Sequence, residues 1–209
     1  MPRPRKFEES EVVASAGRAF AETGYAGTSV DDLVAATGLG RQSLYNAFGG
    51  KKELFMRAFL SDTEDAVAAV EAVRHGADSP IVRIRARLIE VAVTYGSAQS
   101  QPSLFAKTAM ELSARVPEVR TSVLKAFDDM QAHYEACIVE AQEAGEVAAD
   151  ADAAALGALF LALIEGMAIL GGSGVPRADL IAVGLTSLDA IPLTARGRES
   201  LAASDGDWS

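Results

Sequence analysis

Apolar residues recur along this chain at helical spacing. From Glu8 to Thr23 one stripe holds Val12 or Val13, Ala16 and Phe20, and Gly24 stands where a helix ends in the left-handed conformation. A short second helix is predicted after Thr28, whose hydroxyl is placed to accept the Asp31 N–H while that carboxylate reaches back, and it ends at Gly38. A third spans Arg41 to Phe48, and the pair Gly49 and Gly50 separates it from a long fourth helix running from Lys51 to about Arg74. Five further helices are predicted, divided near Ser79 and Pro80, Gln101 and Pro102, Pro117, Gly145 to Asp152, and Gly171 to Pro176. In the one after Pro117, Val119, Val123, Phe127, Met130, Tyr134, Ile138 and Ala141 share one stripe, as in a core-facing amphipathic helix. Sustained period-two alternation is missing, so the predicted fold class is all-α. From Ile191 onward, Pro192, Gly197, Ser204 and Gly206 predict a frayed tail over 192–209, which includes Trp208.

Composition narrows the picture. The chain has 209 residues, 49% hydrophobic and 23% charged, as expected of a globular protein with a well-filled core. A lone cysteine, Cys137, excludes an intrachain disulfide, and no basic start runs into an apolar stretch with a cleavage site, so a cytoplasmic location is expected. The net charge of −10 excludes general polyanion binding, so any nucleic-acid site must be local. That charge is unevenly divided. The first sixty residues carry +1 and the remainder −11, which predicts two parts with different jobs.

The segment from Thr28 to Phe48 places two short helices either side of a three-residue turn, Gly38 to Gly40, the spacing of a helix-turn-helix. Val30, Leu33, Val34, Leu39, Leu44 and Phe48 are positioned to form one small core, which leaves Arg41, Gln42, Ser43, Tyr45 and Asn46 outward. A short helix with such a face fits the major groove, where Arg forks onto guanine and Gln or Asn onto adenine. The open helix starts near Thr28 and Lys51 suit phosphates, so Thr28, Tyr45, Lys51 and Lys52 are the expected backbone contacts. By pattern alone, a helical hairpin with a solvated face fits equally well.

The stretch from Arg18 to Phe55, RAFAETGYAGTSVDDLVAATGLGRQSLYNAFGGKKELF, resembles the amino-terminal DNA-binding domain of the TetR family of bacterial transcriptional regulators. The resemblance is carried by Gly24 and Tyr25, Thr28 and Ser29, Gly38, Leu44 and Tyr45, Phe48, and Lys51 with Glu53 and Leu54. Two departures are visible: Gly40 where the family usually has Ser, and Ala47 where an aromatic is frequent. The run from Ala106 to Leu170 is similar to the ligand-binding and dimerisation domain of one broad TetR-like group. The resemblance implies a dimeric, sequence-specific repressor released from a palindromic operator by a small-molecule effector. It implies a helix-turn-helix domain over 1–50 and a helical ligand-binding and dimerisation domain over 51–191. The alternative is a helical bundle that binds a small molecule or metal and reads no DNA.

From Ala153 to Gly172 the chain is apolar all round with one charge, Glu165. Its length permits a membrane span, but Glu165 near the middle and the missing basic flanks argue against one. Small residues at Ala154, Ala158, Ala162 and Gly166, with Leu185 and Leu188 from the next helix, predict a four-helix dimer interface. Tyr95, Phe105, Met110, Phe127, Met130, Tyr134 and Met167 are candidates to line an effector cavity, with Glu111 or His133 as polar anchors. Tilting of the helix from Lys51 would then change the separation of the two recognition helices. With two histidines and one cysteine no catalytic constellation is expected, and no cofactor. His133 and Cys137 share a face at i, i+4, yet a stable metal site wants three or four ligands, so none is expected.

Overall fold

The computed structural model of the chain describes residues 8–97 and 103–204. Among the described residues there are ten α-helices: α1 (Glu9–Gly27), α2 (Val30–Thr37), α3 (Arg41–Phe48), α4 (Lys51–Glu71), α5 (Pro80–Tyr95), α6 (Leu104–Leu112), α7 (Pro117–Glu143), α8 (Ala153–Gly172), α9 (Arg177–Ser187) and α10 (Ala195–Ser204). The all-α expectation holds there, and the β pairing is a single antiparallel bridge between Val147 and Leu193. The predicted break at Gln101 and Pro102 lies outside the described residues.

The described residues fall into two compact units, 8–66 with 103–123 and 67–97 with 124–204. Residue 50 falls inside the first of these units, whose helices an aromatic ladder joins. Phe20 meets Phe55 edge to face at 5.1 Å, Phe55 stacks on Phe59 at 6.2 Å, and Phe59 stacks on Phe105 of α6 at 6.4 Å. Polar contacts reinforce it. Lys107 donates to the carbonyls of Ala21 and Glu22 at 2.9 and 2.7 Å, and the Glu111 carboxylate accepts the N–H groups of Tyr25 and Ala26. Gly24 kinks α1 with a φ of +78°, which frees the backbone groups that Glu111 takes up.

In the second unit α5 packs against α8, α9 and α10. Its core holds Ile84, Leu88, Met130, Tyr134, Ile138, Phe160, Ile164 and Met167. Glu146 ties three elements together although it is almost fully buried. Its carboxylate accepts the Ile81 N–H at the start of α5, and its carbonyl accepts the Thr194 N–H before α10. Arg74 and Arg83 share the Glu140 carboxylate at 3.0 and 2.8 Å.

The frayed tail predicted over 192–209 is corrected within the described residues. Ile191 is buried, and α10 supplies the acceptors for a buried guanidinium, as Arg85 donates to the Leu201 carbonyl at 3.0 Å and to Ser204 Oγ at 2.6 Å. Proline, glycine and serine nearby gave the local signal of a tail, but a buried arginine needs partners and α10 provides them. Residues 205–209, with Trp208, lie outside the described residues.

Candidate functional site

Leu33 of α2 and Leu44 of α3 are fully buried, and Phe48 nearly so. Val30, Val34 and Leu39 are half-buried around them. The two short helices are held by this cluster, because eight residues apiece are too few to be stable alone. Gly38 closes α2 in the left-handed region with φ +68°, where a side chain would be strained. As a result Arg41, Gln42, Ser43, Tyr45 and Asn46 are all exposed on one surface of α3, as the pattern predicted.

That surface is ordered before any partner arrives. Arg41 pairs with Asp31 at 2.6 Å, and Gln42 Nε2 donates to Asn46 Oδ1 one turn on at 3.0 Å. Both partners of the ion pair are exposed, so the pair is weak and Arg41 is free to exchange it for a base edge. The Gln42–Asn46 bond leaves one amide's carbonyl and the other's N–H groups outward, the acceptor and donor set that matches adenine. No side chain caps α3 at Gly40 and its first turn carries no acid, so its leading N–H groups remain open toward an anion.

One expected backbone contact needs revision. Thr28 is buried, and its hydroxyl donates to the Gly24 carbonyl at 2.7 Å, so it closes α1 and does not face outward. The start of α2 is instead capped by Ser29, which accepts the Asp32 N–H while the Asp32 carboxylate accepts the Ser29 N–H. Those bonds hold the Asp32 carboxyl below the usual carboxylate range. An anionic first turn is a poor phosphate site. Lys51 keeps its place at the start of α4, with Nζ 4.5 Å from the centre of the Tyr25 ring, an anchor the sequence pattern did not single out.

The candidates for an effector cavity are dispersed. Phe105 belongs to the aromatic ladder of the first unit, Met110 is 72% exposed, and Glu111 is committed to the α1 backbone. Tyr95 and Phe127 are half-buried, as is His133. Met130, Tyr134 and Met167 are fully buried in the second unit, where Tyr134 lies 6.3 Å from Phe160. Sequence reasoning missed Arg87 of α5 and gave Glu165 of α8 no role in the site, although both act on Tyr134. Burial pushes the Cys137 thiol up to about 11, so it stays protonated and is a poor metal ligand. No group of three or more metal-ligating side chains occurs among the described residues.

α8 is long and apolar enough to cross a membrane, and it is the single helix of that kind among the described residues. It buries Leu156, Phe160, Ile164 and Met167 in its own unit while Leu159, Ile169 and Leu170 stay exposed. Of the residues expected at a dimer interface, Ala154, Ala162 and Leu185 are exposed and Ala158 and Gly166 half-buried. Leu188 is a correction: it is 7% exposed and packs into its own core, because the chain turns into a 3-10 helix at that point. Val183, exposed beside Leu185 on α9, joins the outward set.

A short polar helix offered to solvent across a glycine turn, followed by a larger helical unit, defines a helix-turn-helix protein with an appended helical domain. Comparison with known proteins narrows the class. A model of the bacterial regulatory proteins, tetR family, matches residues 12–58, and a model of the tetracyclin repressor-like C-terminal domain matches residues 80–171. The chain belongs to the TetR family.

Relatives agree. It is 43% identical over 70 residues to YezE, an uncharacterised HTH-type transcriptional regulator of Bacillus subtilis (strain 168), a match that spans 34% of this chain and 36% of YezE. It is 27% identical over 142 residues to the HTH-type transcriptional repressor DhaR of Mycobacterium sp. (strain GP1), spanning 66% of this chain and 69% of DhaR. Among solved structures, a cysteine mutant of the TetR family regulator CifR complexed with 26-base-pair operator DNA superimposes with a TM-score of 0.76 at 26% identity. That likeness covers 91% of this chain and 100% of the other. A TetR regulator from Chloroflexus aurantiacus matches with a TM-score of 0.77 at 25% identity, over 88% and 96% of the two chains.

Proposed function

We propose that this chain is a dimeric, sequence-specific DNA-binding repressor that is released from a palindromic operator by a small molecule. The observation that carries the reading is the outward face of α3, where five side chains able to read base edges or meet phosphates stand exposed over a buried leucine and phenylalanine base. Arg41, Gln42, Ser43 and Asn46 are assigned to base edges, and Tyr45 with Lys51 and Lys52 to phosphates. The operator complex of CifR and the repressor name of DhaR support the reading as a DNA-binding repressor.

Two copies are needed, since one short helix reads too few base pairs to be selective. The exposed apolar surface of α8 and α9, with Leu159, Ala162, Ile169, Val183 and Leu185, is assigned to that pairing. Half-sites would lie about 34–36 Å apart, one turn of the duplex. The helical unit is assigned to the effector, which acts only through a difference in affinity for the DNA-competent and released arrangements. A cytoplasmic, non-enzymatic protein follows from this role.

Fluorescence anisotropy with duplexes selected from a random pool tests the reading. An inverted repeat is expected, with affinity falling steeply as salt rises. Arg41→Ala or Gln42→Ala should each cost about 1–3 kcal/mol of discrimination at a defined base pair, whereas Lys51→Ala should weaken all duplexes alike and lower the salt slope by about 1. A monomer indifferent to every duplex at low ionic strength would end it.

A further inference from the structure

The core where α5, α7 and α8 bring their side chains together is not purely apolar. Tyr134 is 1% exposed, yet its hydroxyl makes no hydrogen bond. The Nε of Arg87 is buried and equally without one. Native proteins leave few buried polar atoms in that state, because each loses its water and gains nothing in return. The two groups stand within interaction range and act on each other both by charge and as a hydrogen-bonding pair, although the geometry falls short of a well-formed bond. Burial pushes the phenol up to about 12, so the hydroxyl keeps its proton and remains a donor. The guanidinium is only partly compensated, by one bond of 3.0 Å to the exposed Glu90 carboxylate.

Glu165 stands in the same cluster. Burial pushes its carboxyl up to about 7 against the pull of Arg87, so below neutrality it presents an uncharged acid that does not bar an anion. The core of the same unit holds soft side chains. Met130, one turn before Tyr134 on α7, and Met167 of α8 are both fully buried in it, and Phe160 flanks the Tyr134 ring. Thioether chains have three rotatable bonds and no branching, so such a wall yields space to a guest at little cost.

We propose that Arg87 and Tyr134 form the polar anchor of an effector site whose ligand is a small carboxylic acid, its carboxylate taken by the guanidinium and the phenol and its apolar body held by Met130, Phe160 and Met167. A carboxylate answers both orphaned donors and the partly compensated positive charge, whereas a neutral acceptor answers only the donors. The proposal rests on the regulator reading above, in which a small molecule acts on the helical unit.

The test uses the full-length protein at pH 6.5, where Glu165 is mostly the neutral acid. Acetate, butanoate, benzoate and phenylacetate are each compared with the corresponding primary amide by thermal unfolding and titration calorimetry. At least one acid should raise the wild-type midpoint by several degrees more than its amide does. Tyr134→Phe should weaken that acid about tenfold or more, and Arg87→Gln should weaken it further. Without ligand, Tyr134→Phe should leave the midpoint unchanged or raise it by roughly 1–3 °C, because it removes a buried hydroxyl with no partner.

A lower midpoint for unliganded Tyr134→Phe would mean that the hydroxyl is satisfied, and would overturn the proposal even if Arg87→Gln fails to fold. No acid exceeding its amide would overturn it as well. Duplex selection on the same preparation keeps the two claims apart. An enriched inverted repeat with no response to acids ends only the carboxylate assignment, while the absence of any repeat ends the regulator reading.

Discussion

α3 and α8 put the same backbone to opposite uses. α3 has eight residues, buries two of them and leaves five polar side chains exposed, so its chemistry is on its outer surface. α8 has twenty residues and almost no polar side chain, and its one charged group, Glu165, is turned into a cluster formed with other helices. The difference teaches where function can be recognised from one segment. A helix that acts outward carries its own chemistry, whereas a helix that acts inward acquires chemistry from what faces it.

The largest break in this comparison comes from the base of α3. Leu44→Ala removes a fully buried side chain from a helix too short to hold itself, and should cost about 2–5 kcal/mol. Chemical denaturation followed by circular dichroism should show it, and duplex binding should vanish although no outward residue has changed. Retained binding with normal discrimination would mean that α3 does not depend on its core.

A smaller effect belongs to α8 and depends on pH. Glu165 ionises near 4.5 when unperturbed and near 7 in the fold, so the folded state holds the proton more tightly. Stability from this group is complete below about 4.5 and is lost as pH rises through about 7. Glu165→Gln, which stays neutral, should therefore match wild type near pH 4.5 and exceed it by up to roughly 3 kcal/mol at pH 8. Unfolding curves at the two pH values decide it, and a gain independent of pH would dissociate Glu165 from this burial.

The smallest effect is at the start of α3. Gly40 has an extended backbone, φ −64° and ψ 149°, with nothing within 4 Å of where a Cβ would stand. Gly40→Ser should supply the missing cap and raise stability by a few tenths of a kcal/mol, read as a small upward shift in the thermal midpoint. A destabilised variant would show that the open N–H groups of α3 are already satisfied.

The helix boundaries and the outward set on α3 were legible because both depend on residues close in sequence. Glycine at 38, 49 and 50 and apolar spacing within twenty residues are sufficient to place them. Thr28 was misjudged by one position, since Thr28 and Ser29 are both good caps and only the packing of α1 decides which hydroxyl is buried. The pocket candidates failed for a different reason. Buried aromatic and methionine side chains look alike in a stripe, whether they line a cavity, build a ladder as Phe105 does, or remain exposed as Met110 does.

By itself the sequence determined an all-helical chain with a helix-turn-helix near its start and a polar recognition surface, because helix period, glycine turns and caps act over a few residues. Only the tertiary structure decided that α6 belongs with the leading helices, that α10 is a helix closing over Arg85, and that the half-buried Arg87 and Glu165 act on the buried Tyr134. Each of those facts joins residues dozens of positions apart. Their pairing is set by which charges and rings must be covered together, and no local pattern records that.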